Sequence, residues 1–160
     1  MREVELITKV QVFENEAELP GQEGVLMREA HEALAKSYAP YSKFNVGAAL
    51  LLANGELISG ANQENAAYPM CLCAERVALG AATSVYPGVA VTAIAITIKS
   101  SHQVVNRPAA PCGACRQVIC ETSNRQGQPI VVLIKGETGP IYRFNDAVDL
   151  LPLSFDSSYL

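Results

Sequence analysis

The apolar positions along the chain change period several times, and each change marks an element. From about Gly24, the residues Leu26, Ala30, Ala33, Leu34 and Tyr38 recur at three- and four-residue steps, an amphipathic helix that Pro40 stops. Residues 45–53 form an apolar run followed by Asn54-Gly55, a strong hairpin signal, so residues 56–61 are the return strand. A polar loop containing Pro69 covers residues 62–70, and residues 73–85, rich in Ala, Leu and Val, read as a buried helix ended by Pro87-Gly88. Residues 89–99 are apolar on both alternating faces, as in a central strand covered on both sides. Pro111 then opens a second buried helix over residues 112–122, where its missing N–H costs nothing. Further on come a strand at 130–135, a turn at 136–140, a short strand at 141–144 and a short helix at 146–151. Residues 4–13 alternate weakly, as a short strand would, before the Pro20-Gly21 turn. The organisation read from this is an N-terminal extension over residues 1–22 and a single domain over residues 23–160. A hairpin followed by helix, strand, helix and strand makes that domain α/β, with a mixed sheet between layers of helices.

Composition narrows the function. A chain of 160 residues that is 49% apolar can bury a core without disulfides. Twelve Lys+Arg against 16 Asp+Glu leave a charge of −4, which argues against a nucleic-acid partner. Aromatic residues make up only 6%, without Trp, so a base-stacking platform is not expected. No stretch approaches the roughly 18 apolar residues of a membrane span. The start Met1-Arg2-Glu3-Val4-Glu5 is acidic where a signal peptide is basic. The expectation is a cytoplasmic protein with no membrane partner, in a compartment that keeps thiols reduced.

Five cysteines, Cys71, Cys73, Cys112, Cys115 and Cys120, are an odd count for a disulfide framework. Cys73-Ala74-Glu75 and Pro111-Cys112-Gly113-Ala114-Cys115 each put thiols at or near a predicted helix N-terminus. Free backbone N–H groups and the helix dipole favour thiolate there, the form that binds metal. Cys112 and Cys115 are three apart and face one side of the first turn, so they can share an ion that Cys73 reaches from the other helix. Three thiolates around tetrahedral zinc leave the fourth position open, the mark of a catalytic site. Two other readings stand beside this one. Cys71 can close the site as a fourth, structural ligand, or Cys112 and Cys115 can form a redox pair that leaves Cys73 and Glu75 unused. Cys120 lies roughly 7.5 Å beyond Cys115 along a helix axis, too far to share an ion whose bonds to sulfur are about 2.3 Å.

Glu75 has an ordinary explanation, the first-turn preference for acids. Beside a zinc site it is also the right general base for a water that the metal has acidified. Arg76 is either a surface residue or a guanidinium that withdraws excess negative charge from the three thiolates through charge-assisted hydrogen bonds.

At these residues the chain resembles the zinc-dependent nucleobase deaminases, and more narrowly the small, homotetrameric, three-cysteine cytidine deaminases. The stretches that carry the resemblance keep the family's order: Ser42-Lys43-Phe44-Asn45-Val46-Gly47-Ala48-Ala49, Asn62-Gln63-Glu64-Asn65-Ala66-Ala67-Tyr68, Cys73-Ala74-Glu75-Arg76, Pro111-Cys112-Gly113-Ala114-Cys115-Arg116-Gln117-Val118 and Leu150-Leu151-Pro152-Leu153-Ser154-Phe155. Cysteine rather than histidine at position 73 separates the chain from members with one His and two Cys ligands.

The resemblance implies a three-layer α/β/α fold with a mixed five-stranded sheet. It implies one zinc ion per chain, held by Cys73, Cys112 and Cys115, and Glu75 as proton shuttle, with hydroxide on zinc attacking the amino-bearing ring carbon. It implies Phe44 against the pyrimidine, Asn62 and Glu64 on the ribose hydroxyls, Ala66 and Tyr68 in the pocket, and Arg76 as charge balance. Tyr68 and Phe155 would reach a neighbouring subunit's site, which makes the protein a homotetramer with shared active sites. The activity implied is hydrolytic deamination of cytidine and deoxycytidine to uridine and deoxyuridine in pyrimidine salvage. A deaminase of a modified cytosine nucleoside such as blasticidin S is the alternative. That family usually lacks the Arg after the Glu and the Asn-x-Glu pair, both of which are here. The chain departs from the pattern in residues 1–22, in a long loop at 101–110, and in Gln63, where an apolar residue is common. His31 and His102 match none of the motifs and read as structural histidines.

Overall fold

Alternation along the central strands gives the sheet two apolar faces, with the larger side chains of the central strand on one and its alanines on the other, and this sorts the helices into two layers. In β2 (Phe44–Leu52), Ala48, Leu50 and Leu52 face one side while Ala49 and Leu51 face the other. In β4 (Val91–Ser100), Ile94 and Ile96 oppose Ala93 and Ala95 in the same way. The small-residue face receives α1 (Glu23–Ala33) through Leu26, Met27 and Ala30. The large-residue face packs on α2 (Ala74–Val85) and α3 (Gly113–Gln126) through Ala74, Ala78, Ile119 and Cys120. The computed structural model, which describes all 160 residues, is therefore three-layered, with one apolar core on each side of a mixed sheet.

Two glycines set how closely helices approach that sheet. A Cβ on Gly47 of β2 would lie 2.1 Å from the carbonyl oxygen of Ala30 in α1. On Gly60 of β3 (Leu57–Ala61) it would lie 2.6 Å from the Ala78 nitrogen and 2.7 Å from the Ala74 oxygen, both in α2. Helix backbone rests directly on strand backbone at both places.

The sheet order is β1-β6-β5-β4-β2-β3. The hairpin β2–β3 turns at Asn54-Gly55 as its dipeptide predicts, with Leu51 opposite Leu57. Strand β2 is antiparallel to β4, whereas β5 (Val131–Lys135) runs parallel to β4 after the α3 crossover. Strand β6 (Ile141–Phe144) returns antiparallel to β5. Two predicted helices are tighter or shorter than the periodicity suggests. The first ends at Ala33 and continues as a 3-10 turn, Leu34–Lys36, and the last is a 3-10 turn, Ala147–Leu150, capped by the Asp146 side chain on Val148 N–H.

The sheet has six strands rather than five. The sixth, β1 (Gln11–Phe13), comes from the N-terminal stretch and pairs antiparallel with β6, Gln11 opposite Arg143 and Phe13 opposite Ile141. Strand β6 would otherwise leave its outer N–H and C=O groups without a ladder. Arg143 fastens the addition: its guanidinium donates to Gln11 Oε1 at 2.8 Å and to both Glu23 carboxylate oxygens at 2.8 and 2.9 Å. Lys135 and Glu16 add an ion pair at 2.7 Å, and Phe13 packs into the α1-side core beside buried Leu19. No helix is long and apolar enough to cross a membrane.

Candidate metal centre and its pocket

Helices α2 and α3 begin at Cys73 and Cys112. Each is an N-cap residue with extended backbone, at φ −73° and ψ 150° for Cys73 and φ −64° and ψ 164° for Cys112. Their carbonyls start the helices: Cys73 accepts from Arg76 and Val77 N–H, both at 3.1 Å, and Cys112 accepts from Arg116 N–H at 2.9 Å. Neither thiol caps its own helix, unlike the Ser or Asp usual at this position, so both are free to face a common point. Cys115 joins them from the first turn of α3, fully buried. The three sulfurs lie within 4.8 Å of one another, with Cys73 and Cys112 at 3.9 Å. Sulfurs about 2.3 Å from a tetrahedral zinc would be about 3.8 Å apart, so the group fits zinc in both donor chemistry and spacing.

The thiols also polarise one another. The Cys73 thiol is pulled down to about 6, chiefly by its hydrogen bond with Cys115 and further by the Arg76 charge. The same bond, with burial, drives Cys115 up, so Cys73 ionises first. Cys71 is not part of the group. Its sulfur accepts from Asn65 N–H at 3.2 Å, and no fourth thiolate completes the set. Cys120 donates instead to the Ala147 carbonyl at 3.3 Å.

Glu75, in the first turn of α2, is only 4% exposed. Burial pushes its carboxyl above the usual carboxylate range, against the opposing hydrogen bonds of its own backbone N–H and the Cys115 thiol. With Cys73 and Cys112 it lines a pocket of about 430 Å³ whose wall also includes Phe44, Asn62 and Glu64. That volume lies in the range of small-molecule sites.

The polar groups of that wall are already partly bonded. Asn62 Oδ1 accepts from Val46 N–H at 2.8 Å and from the Ser37 hydroxyl, and its amide donates to the Phe44 carbonyl at 2.9 Å. One of its two N–H groups is left over. Glu64 Oε2 accepts from Tyr41 N–H at 2.8 Å and Ser42 N–H at 3.3 Å, and Oε1 remains available. The Ser42 hydroxyl, then these amides and the Lys43 charge, hold the Glu64 carboxyl below its ordinary value.

Other residues singled out in the sequence lie outside this pocket. Ala66 is exposed, and Tyr68, 70% exposed, stands edge-on to Tyr41 at 6.1 Å. Phe155, 58% exposed, stacks on Tyr159 at 5.5 Å. Arg76 lies in a surface groove shared with Gln117 and Glu121 and acts on Cys73 through its charge. The arginine that braces the ligand loop is Arg116, which the sequence reading gave no role. It donates to the Pro111 carbonyl at 2.9 Å and the Leu150 carbonyl at 3.1 Å. Its position four residues after Cys112 was the available signal, since such pairs share a helix face.

Comparison with known proteins gives a consistent picture. A family model described as the cytidine and deoxycytidylate deaminase zinc-binding region matches residues 21–128. A cytidine deaminase of Halalkalibacterium halodurans is 48% identical over 97 residues, covering 61% of this chain and 69% of that one. One from Sporosarcina psychrophila is 42% identical over 113 residues, 70% of this chain and 78% of its own. Among solved structures, a crystal structure of cytidine deaminase from Burkholderia pseudomallei superposes with a TM-score of 0.71 at 41% identity, over 82% of this chain and 97% of that one.

Proposed function

The chain belongs to the zinc-binding cytidine and deoxycytidylate deaminases, and on that premise we propose that it hydrolyses cytidine and deoxycytidine to uridine and deoxyuridine with release of ammonia. The observation that carries this reading is a three-thiol group beside a nucleoside-sized pocket that two of its thiols and a buried glutamate line. Cys73, Cys112 and Cys115 would hold the ion. Bound there, zinc supplies Lewis-acid chemistry, lowering the pKa of water to about 7.

The remaining work belongs to the chain. Glu75 is buried beside the thiols, and desolvation raises its proton affinity towards that of a group that both takes and returns a proton. It accepts one proton of the attacking water and delivers it to the ring nitrogen next to the amino group. It then takes the second proton from the hydroxyl now bonded to the ring carbon and passes it to the amine, whose C–N bond breaks as the ring carbonyl forms. One water is consumed and one ammonia released, so the reaction needs no oxidant or second substrate. Phe44 offers an apolar face to the pyrimidine. The spare Asn62 N–H and the free Glu64 oxygen are a donor and an acceptor for the ribose hydroxyls. Arg76 offsets thiolate charge.

Ala66, Tyr68 and Phe155 are exposed and do not line the pocket of their own chain. We assign them to a neighbour's pocket in a homotetramer with shared active sites. Pyrimidine nucleoside salvage in the cytoplasm is the setting that fits this chemistry.

The test is an absorbance assay of zinc-loaded protein with both nucleosides, together with zinc content. Glu75→Gln is expected to lose about 10²–10⁴ in kcat while still holding one zinc per chain. Zinc-loaded protein that leaves both nucleosides unchanged, or a Glu75→Gln enzyme as fast as the parent, would overturn the reading.

A further inference from the structure

His102 lies outside every stretch that resembles the family, in the long loop between β4 and α3. Its Nε2 is nonetheless 3.2 Å from the carbonyl oxygen of Ser42, on the rim of the pocket. A carbonyl only accepts, so Nε2 carries the hydrogen and donates it. The preceding loop residue does the same one step further on: Ser101 N–H donates to the Lys43 carbonyl at 3.1 Å. Two consecutive loop residues thus hold two consecutive carbonyls of the segment that leads into Phe44.

That segment needs holding. Lys43 sits at φ 54°, in the left-handed region that a lysine occupies only when its surroundings keep it there. Lys43 N–H closes the turn on the Ala39 carbonyl at 3.2 Å. The turn serves to aim two amides, Tyr41 N–H and Ser42 N–H, at the same Glu64 oxygen. The loop is itself fastened at its far end, where Glu137 and Thr138 N–H donate to the Val105 carbonyl at 2.8 and 3.2 Å. His102 therefore pulls on Ser42 from an anchored support.

We propose that His102 is a positioning residue for the sugar end of the pocket. Through Ser42 it holds the Glu64 carboxylate so that its free oxygen meets a ribose hydroxyl. This rests on the role proposed above for Glu64. Glu75 and the three thiols stand at the starts of α2 and α3, to which His102 makes no hydrogen bond, so its effect falls on nucleoside binding and not on the chemical step.

Steady-state kinetics of the zinc-loaded enzyme test this with cytidine as substrate and 2′,3′-dideoxycytidine as competitor. The variants are His102→Ala, His102→Gln and Glu64→Gln. His102→Ala is expected to raise the KM for cytidine about three- to tenfold, the worth of one hydrogen bond, with kcat within about twofold and Tm unchanged. The Gln variant restores most of the loss, because its amide N–H reaches close to the position of Nε2. The inhibition constant of the dideoxy compound stays the same throughout, since it lacks the 2′ and 3′ hydroxyls through which Glu64 would hold the sugar. If Glu64→Gln raises KM but His102→Ala does not, the proposal fails and the reading of Glu64 stands. A Glu64→Gln enzyme with unchanged KM removes both. Equal weakening of the substrate and the dideoxy competitor in His102→Ala, or a fall in kcat, reduces His102 to general support of the loop and also overturns the proposal.

Discussion

Cys71 and Cys73 are two residues apart and do different work. Cys73 is the N-cap of α2, where the backbone turns into the helix and its thiol joins Cys112 and Cys115. Cys71 precedes that turn, and Asn65 N–H takes its sulfur instead. Cys71→Ala should therefore keep one zinc per chain by elemental analysis, with activity within a few-fold of the parent. Release of the metal would mean that a fourth thiolate closes the site. Asn62 shows a different division of labour within one side chain. Two of its hydrogen bonds tie β2 to the start of the loop after β3, a third holds the Ser37 hydroxyl, and one N–H remains for the pocket that Asn62 lines. The Asn-x-Glu pattern marked both residues as polar groups of interest. The bonds that orient them come from Ser37, Tyr41, Ser42 and Val46, 16 to 25 residues earlier in the chain, and no local pattern encodes those partners.

Among the elements, the two ligand-bearing helices matter most, because the centre exists only where their N-termini converge. Strand β3 sets the position of α2 through Gly60, on which the helix backbone lies. Gly60→Ala puts a methyl group within 2.6 Å of the Ala78 nitrogen, and backbone cannot rotate out of the way as a side chain can. The expected cost is about 2 kcal/mol, a fall in Tm of about 4–8 °C for a chain of this size. Zinc should also be held more weakly, because Cys73 and Glu75 move with the helix. Thermal melting and competition with a chromophoric chelator measure the two effects, and an unshifted Tm would show that β3 does not set the helix. The first of the two helices is visible in the sequence as an Ala-, Leu- and Val-rich stretch behind a cysteine, and the second as the segment that Pro111 opens. The contact at Gly60 is not, since glycine in a strand is equally compatible with a bulge or a bend.

At the scale of the whole molecule, the N-terminal strand and the pocket sit at opposite ends of the sheet. Strand β1 is one edge, and the pocket residues Phe44, Asn62 and Glu64 belong to β2 and the chain beyond β3, towards the other edge. Removing residues 1–14 takes away the β1 ladder, the Gln11 contact to Arg143 and the Phe13 packing. The loss of apolar burial is worth about 2 kcal/mol, so Tm should fall by about 4–8 °C and the bared β6 edge should make the protein more prone to self-association. The kcat and KM for cytidine should not change. A large loss of activity with one zinc still bound would place the N-terminal stretch at the site itself.

Local chemistry was readable without coordinates. Ligand spacing, a helix start, a first-turn acid and the change of apolar period from element to element are all short-range patterns, so the zinc group, Glu75 and the α/β layering could be argued from order alone. Long-range placement could not. The weak alternation over residues 4–13 suggests a short strand but neither its limits, Gln11–Phe13, nor its partner, and what recruits it is the edge of β6 and the guanidinium of Arg143, about 130 residues away. The bracing by Arg116 and the grip of His102 on Ser42 depend on which backbone groups remain unpaired once the sheet has formed. Those leftovers are a property of the assembled sheet and helices, and side chains distant in sequence find them only after packing brings them within reach.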